Sequence, residues 1–411
     1  MGEPAVGRIA QALRKLRDPT DLLSAALVLV LAAGFLTPTG AAWSDLFYAI
    51  SGPAILVALW RGKATARGLG PGFFLPVALI LWSTASVLWC TDPGPRTNAY
   101  LVDGFCTLVF YVGLVVALDQ VRFRRLAVNI LIWFAALNAV IALIGYPWRN
   151  GIGGRLGGIG ETRQAILGAS VIAVAMLFAL FRVLNDKTWT SAQRFAGSAA
   201  TALMLLFVAL TQSRGPILGA AAGVLVLILC SEWRFWILPA LIGLPAAVWL
   251  IDGAVRIGGL DRALHDIVIG PLTQRGTSFR PEIWRASLAR IAQHPWIGHG
   301  VGGRLEYKSF TFPHDLYLSL LFYSGAAGLA LFVGCVVLLL GGVLRRPGPE
   351  RSLLVALWAN MLVSGLTDYG QIIKGPSPLW YIIWLPIAFS VEFVTRSRVD
   401  GAVRLRVSGV A

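Results

Sequence analysis

The chain has 411 residues, 57% of them hydrophobic and 13% charged, where an average soluble domain has roughly 45–50% and roughly 25%. With a mean hydropathy of +0.72 it is not a water-soluble globule. Its net charge of +15, which in a soluble protein would point to nucleic acid, must therefore be read by placement.

Four cysteines, Cys90, Cys106, Cys230 and Cys335, sit in or at the ends of apolar runs with no CxxC spacing, which supports neither a disulfide framework nor a zinc site. In chain order, Val6, Ile9, Leu13 and Leu16 share one face with basic residues between them, so residues 1–20 read as a cytoplasmic amphipathic N-terminus. Apolar segments follow at 21–37, 41–60, 71–90, 99–118, 125–145, 165–185, 195–211, 215–230 and 235–251. After a long connection at 252–313, three more fall at 314–343, 351–367 and 377–395, and a basic tail closes the chain at 396–411. Each approaches the length needed to cross a roughly 30 Å hydrocarbon core. The first could pass for a signal peptide, but the segments behind it make a signal-anchor the simpler reading. The expected fold is an all-α polytopic membrane protein of about twelve transmembrane helices, with spans one to nine in 21–251, a large helical loop in 252–313, and spans ten to twelve in 314–395.

Charge sets the orientation. One side of this topology collects 21 Lys and Arg, among them Arg14, Lys63, Arg124, Arg182, Arg345 and Arg396, while the short loops of the other hold only Arg96, Arg149, Arg155, Arg163, Arg214 and Lys374. Basic residues gather on the cytoplasmic side, so both termini are expected there. The other eight basic residues, including Arg275, Arg280, Arg285 and Arg290, lie in the long outward loop, with all four histidines in it or at its exit (His265, His294, His299, His314). Long loops translocate largely regardless of charge, and this grouping calls for a partner.

Within that loop, Pro281 suits a first helical position and Glu282 complements the positive helix end, while Ile283, Trp284, Leu288 and Ile291 form an apolar side. A helix lying on the outer leaflet is expected there, with a second at Leu260–Ile267. Gly298-His-Gly-Val-Gly-Gly303 matches GxGxxG only formally, since no strand precedes it, and reads as a tight turn. Gly151–Gly160 contains Arg155 and is followed by Arg163; such a loop is either a flexible connector or a phosphate cradle.

The sharper features lie at span ends. Thr211-Gln-Ser-Arg214-Gly-Pro216 leaves no room for a loop, so Arg214 is held at the outer boundary. Arginine there is either an interfacial anchor or a fork for phosphate oxygens. His314, beside Asp315 at the start of the tenth span, has the side chain best matched to proton transfer near neutral pH. A transporter would place ionisable residues and broken helices near mid-depth. Here the mid-depth polar residues are Asn138 and Asn360, amides of the kind that join helices.

Taken in order, Thr211-Gln-Ser-Arg-Gly-Pro-Ile-Leu-Gly219, Arg280-Pro-Glu-Ile-Trp284, His294-Pro-Trp-Ile-Gly-His-Gly300, Pro313-His-Asp-Leu-Tyr-Leu318 and Ser324-Gly-Ala-Ala-Gly-Leu329 resemble the bacterial O-antigen ligase and polymerase superfamily. The resemblance spans Arg214 to Leu329. It implies a metal-independent, inverting, membrane-embedded glycosyltransferase with no cofactor, working at the periplasmic face of the inner membrane. The donor it implies is an undecaprenyl-diphosphate-linked glycan. The acceptor is a sugar hydroxyl of the lipid A core for a ligase, the preferred reading, or another carrier-bound repeat for a polymerase. It also assigns activity to outward arginines and a loop histidine, which map onto Arg214, one or more of Arg275, Arg280 and Arg285, and His314. Position 315 is Asp where the family often has Asn, and Tyr323 stands where a Glu is common.

The expected site therefore has Arg214 with Arg275, Arg280 and Arg285, and Arg155 and Arg163 from the glycine-rich loop, on the diphosphate. His314 acts either as general base or as a phosphate-binding imidazolium, oriented by Asp315 or another carboxylate, and no metal is involved.

Overall fold

The computed structural model describes residues 18–62, 70–150, 154–231, 279–305, 307–308 and 310–407. The expected N-terminal amphipathic helix, the ninth span at 235–251, the Leu260–Ile267 helix, His265 and Arg275 lie outside the described residues.

Among those residues the chain is helical, with a single isolated β-bridge between Tyr307 and Phe310. In chain order the helices are α1 (Pro19–Leu36), α2 (Gly40–Arg61), α3 (Pro71–Trp89), α4 (Ala99–Leu118) and α5 (Val121–Asn150). Then come α6 (Ala165–Asn185), α7 (Ser191–Leu210), α8 (Arg214–Leu229), α9 (Arg280–Ile291), α10 (Leu316–Leu344), α11 (Arg351–Gly365) and α12 (Leu385–Val407). Eight helices among the described residues are long and apolar enough to cross a membrane, and α8 and α11 are shorter apolar helices. Large apolar side chains such as Trp60 and Phe195 point outward, as lipid-facing positions do.

Local chemistry sets the helix ends. The Asp18 carboxylate accepts from the Thr20 N–H at 2.8 Å, with Pro19 at the first helical position, a favourable N-terminus. Pro53 and Pro386 each follow a wide π-turn, Phe47–Ser51 and Trp380–Trp384. The wider turn accommodates a proline ring that would clash with an ordinary helical carbonyl.

In lipid a polar group needs an internal partner; several core side chains find one, whereas the buried Asn360 amide, expected to join helices, makes no hydrogen bond among the described residues. Trp43 donates to Val30 O at 3.1 Å and Trp384 to Ile372 O at 3.0 Å. Trp380 stacks on Phe110 with centroids 4.3 Å apart. Asn138 bridges Phe35 O and the Thr162 hydroxyl at 2.7 and 2.8 Å, the helix-joining role expected of it.

Two features position the end of the bundle that holds Arg214 and His314. Gly215, Gly219 and Gly223 line one side of α8 against α11. A Cβ on them would sit 1.8 Å from Thr367 Oγ1, 2.3 Å from Ser364 Oγ and 2.7 Å from a Leu177 methyl. This close approach brings Thr367 and Asp368 beside the start of α8.

The second feature is a break in α10 at Gly325 (φ 66°, ψ −170°). There the amides of Ala326 and Ala327 donate to Pro295 O and Trp296 O at 2.8 and 3.2 Å. In the other direction, His299 and Gly300 donate to Phe322 O and Tyr323 O at 2.7 and 3.0 Å. The glycine-rich turn at 298–303 is thus half of a backbone joint whose other half is the helix break.

That joint also fixes α9. His299 Nε2 donates to Arg290 O at 2.7 Å, so its Nδ1 accepts from the Thr91 hydroxyl at 3.0 Å, and Arg290 pairs with Asp92 at 2.6 Å. Burial and the nearby Arg290 and His294 hold His299 below the usual histidine range, against the pull of its hydrogen bond to Arg290 O. The buried face of α9 is Ile283, Ser287 and Ile291, while Leu288 faces out. The expected apolar side thus needs correcting at Leu288, because the i, i+4, i+8 row governs which residues meet the bundle.

Candidate functional site

Five separate chain segments converge on one cavity of about 230 Å³, whose lining includes Arg155, Gln212, Arg214, Arg280, Phe310, His314 and Thr367. Helices α8 and α9 both begin at it, with Arg214 and Arg280 as their first residues. A helix N-terminus carries partial positive charge from its unpaired N–H groups. Two such ends with two guanidinium groups make the cavity strongly favourable to an anion.

Arg155 is held in place from the side. Its Nε donates to Thr211 O at 3.0 Å and a terminal nitrogen donates to Ser213 Oγ at 2.7 Å. The turn that presents Arg214 is clamped further by the Leu156 N–H, which donates to Leu210 O at 3.0 Å. The short connection between α7 and α8 gains its rigidity from these contacts.

His314 sits in the left-handed region at φ 54°, with Phe312 packed against its ring at 3.8 Å between centroids. Its Nδ1 lies 3.4 Å from Asp368 Oδ1, which also accepts the Tyr369 N–H at 2.8 Å. Asp315 is occupied elsewhere, accepting from the Leu318 N–H at 2.8 Å as the N-cap of α10. Burial pushes its carboxyl up, while the N–H groups of Leu318 and Tyr317 pull it back.

Of the residues singled out in the sequence, Arg155, Arg214, Arg280 and His314 therefore share one cavity. Arg163 lies apart in an adjoining space of about 740 Å³ that also includes Arg155 and the backbone of 157–160. Arg285 is exposed on α9 and does not line the first cavity, and Arg275 lies outside the described residues. Asp368 is a partner of His314 that the sequence alone does not reveal. Among the described residues, no three His, Cys, Asp or Glu side chains come together with metal-ligand spacing.

The O-antigen ligase family model matches residues 199–333, a stretch that holds Arg214, Arg280 and His314. An O-antigen ligase of Pseudomonas aeruginosa is 29% identical over 359 residues, covering 84% of this chain and 83% of its own.

Proposed function

Because the chain belongs to the O-antigen ligase superfamily, we propose that it is a glycosyltransferase moving a glycan from undecaprenyl diphosphate to a sugar hydroxyl of the lipid A core. In this reading it is a twelve-span protein of the bacterial inner membrane with both termini in the cytoplasm. The reaction is inverting, needs no metal or cofactor, and takes place at the periplasmic end of the bundle. The observation that carries it is the convergence of Arg214, Arg280 and His314 on one cavity.

A polyprenyl diphosphate fits that cavity chemically. Its tail belongs in lipid, its diphosphate takes up the positive charge of Arg214, Arg280 and Arg155, and its glycan projects outward. Arginine forks that bind two phosphate oxygens also stabilise the charge growing on the leaving group. With Nδ1 turned to Asp368, His314 offers Nε2 to the acceptor hydroxyl. As the acceptor oxygen bonds the anomeric carbon, the bond to the carrier phosphate breaks, His314 takes the hydroxyl proton, and the diphosphate leaves with the electron pair. A diphosphate leaves without protonation by a carboxylic acid, so the paired carboxylates of glycosidases have no task here. Arg163 and Arg285 do not line the Arg214 cavity and stand outside this diphosphate clamp.

The test is glycan transfer by purified protein in detergent with EDTA, using undecaprenyl-diphosphate-linked glycan and lipid A core. His314→Ala should lower the rate about 10²–10⁴-fold and Arg214→Ala about 10²–10³-fold. Asp368→Asn should lower it about 10- to 100-fold through kcat, and Asp315→Asn should lower it less. Carrier-linked chains growing longer, with no transfer to the core, would instead make the protein a polymerase. Full activity of His314→Ala would remove the base from the mechanism.

A further inference from the structure

A second cavity, of about 440 Å³, lies at the other end of the bundle. Helix α6 runs between the two. Ile166 in its first turn lines the Arg214 cavity and Arg182 near its last turn lines the second, which at 1.5 Å per residue sets them roughly 24 Å apart. The cavities therefore face opposite sides of the apolar layer, and the transfer reaction makes no use of the second.

The walls of this cavity combine two chemistries. Phe178, Phe181, Leu354 and Phe389 make it apolar on one side. On the other stand Arg124, Arg125, Arg182 and Arg396, interleaved with Asp186, Glu350 and Glu392. Three of these arginines are held by carboxylates: Arg124 by Glu392, Arg182 by Asp186 at 2.8 Å, and Arg396 by Glu350 at 3.2 Å and Glu392 at 3.5 Å. The fourth, Arg125, is exposed and pairs with no carboxylate among the described residues. The lining thus keeps one uncompensated cation beside an apolar surface on which Val121 is exposed and Val128 and Phe181 are half-buried.

We propose that this cavity binds an anionic glycerophospholipid from the leaflet opposite the Arg214 cavity, with its phosphate on Arg125 and an acyl chain against Val121, Val128 and Phe181. A soluble anion would leave Val121, Val128 and Phe181 uncovered, and a lipid without net charge would leave Arg125 unmatched. The phosphodiester of an anionic lipid satisfies both at once, and basic pockets between transmembrane helices are suited to such headgroups. The salt-bridged arginines hold α5, α6, α11 and α12 around the bound lipid. This proposal rests on the second cavity alone and is independent of the transferase reading.

The experiment uses the purified full chain in dodecylmaltoside. Retained lipid is counted by native mass spectrometry, and thermal unfolding is followed with added dioleoylphosphatidylglycerol, dioleoylphosphatidylcholine or sodium phosphate. Phosphatidylglycerol should be retained and raise the unfolding temperature, while phosphatidylcholine and phosphate should do so weakly or not at all. Arg125→Ala should weaken phosphatidylglycerol binding about fivefold. Arg122→Ala, an exposed neighbour outside the cavity, should leave it unchanged. Val128→Trp, which fills the apolar side, should lower retention further, and if that variant does not fold, Arg125→Ala decides alone. Equal retention of the two lipids, equal stabilisation by inorganic phosphate, or an Arg125→Ala variant that binds like Arg122→Ala would overturn the proposal.

Discussion

Among the described residues, five non-glycine residues have positive φ: Gln212, Phe279, Lys308, His314 and Tyr369. Four of them are at the Arg214 cavity or beside its key groups, since Gln212 and His314 line it, Phe279 precedes Arg280 and Tyr369 follows Asp368. Left-handed backbone costs a non-glycine residue roughly 1–2 kcal/mol, and such strain is kept where a side chain must be aimed. Arg214 and His314 were legible in the sequence because each sits at the edge of an apolar run, where an ionisable group is conspicuous. Asp368 lacked that local cue toward His314, because the two meet only when the start of α10 packs beside the end of α11. Arg285 was misplaced for a different reason: five residues along a helix from Arg280 is roughly 140° around it, and the phase was unknown. At this scale a pH effect also follows. His299 is held below the ordinary histidine value of about 6.5, so between its folded value and about 6.5 the unfolded chain binds more protons than the folded one. Stability is then complete above about pH 6.5 and falls as pH drops through that window. Thermal unfolding in detergent should show a midpoint that declines from pH 7.5 to pH 5.5, and His299→Gln should flatten that decline.

At the scale of elements, most helices are visible as apolar runs with ends within a few residues, but α12 continues as helix to Val407, twelve residues beyond the expected 377–395 span and into the expected basic tail at 396–411, because a helix does not stop where its apolar run stops. The features that shape the site were less visible. The π-turns before Pro53 and Pro386 leave no hydrophobic period, and the break in α10 falls within a run that reads as one continuous span. The motif glycines have two different tasks. Gly298, Gly300 and Gly325 are needed for positive φ at the joint, whereas Gly215, Gly219 and Gly223 are needed because α11 comes too close for a side chain. Gly219→Leu therefore tests how Thr367 and Asp368 reach the cavity. Its side chain would meet Ser364 and the Asn360 carbonyl, so it should destabilise the protein by about 1–3 kcal/mol. Transfer activity per folded molecule should also fall, while Leu218→Ala, on the exposed face of α8, should change neither. Thermal unfolding together with an activity assay separates the two effects.

For the whole molecule, the distribution of Lys and Arg orients both cavities with respect to the membrane. The end that holds Arg155, Arg214 and His314 should face the periplasm, and the end that holds Arg124, Arg182 and Arg396 the cytoplasm. In a cysteine-free background, Arg163→Cys should react with a membrane-impermeant maleimide in intact spheroplasts, and Lys187→Cys only after lysis. The reverse pattern would invert the protein and remove the periplasmic reaction. The charge rule turns the sequence into an expected orientation, whereas nothing along the chain signals that basic and acidic residues at the Arg182 end close around a cavity. That arrangement draws on α5, α6, α11 and α12, which are far apart along the chain.

The joint between residues 295–300 and the break in α10 has a consequence for how the outward end can move. On either side of Gly325 the helix is completed by carbonyls and amides of the incoming loop, not by its own. Withdrawal of the loop would leave several polar backbone groups without partners at the edge of the apolar layer, where each such group is costly. The bend in the helix and the seat of the loop therefore form and dissolve as one event. The end of α9 that leads into residues 292–300 is therefore fixed to the break in α10 and to Asp92, and movement at this end of the bundle is left to chain outside the joint.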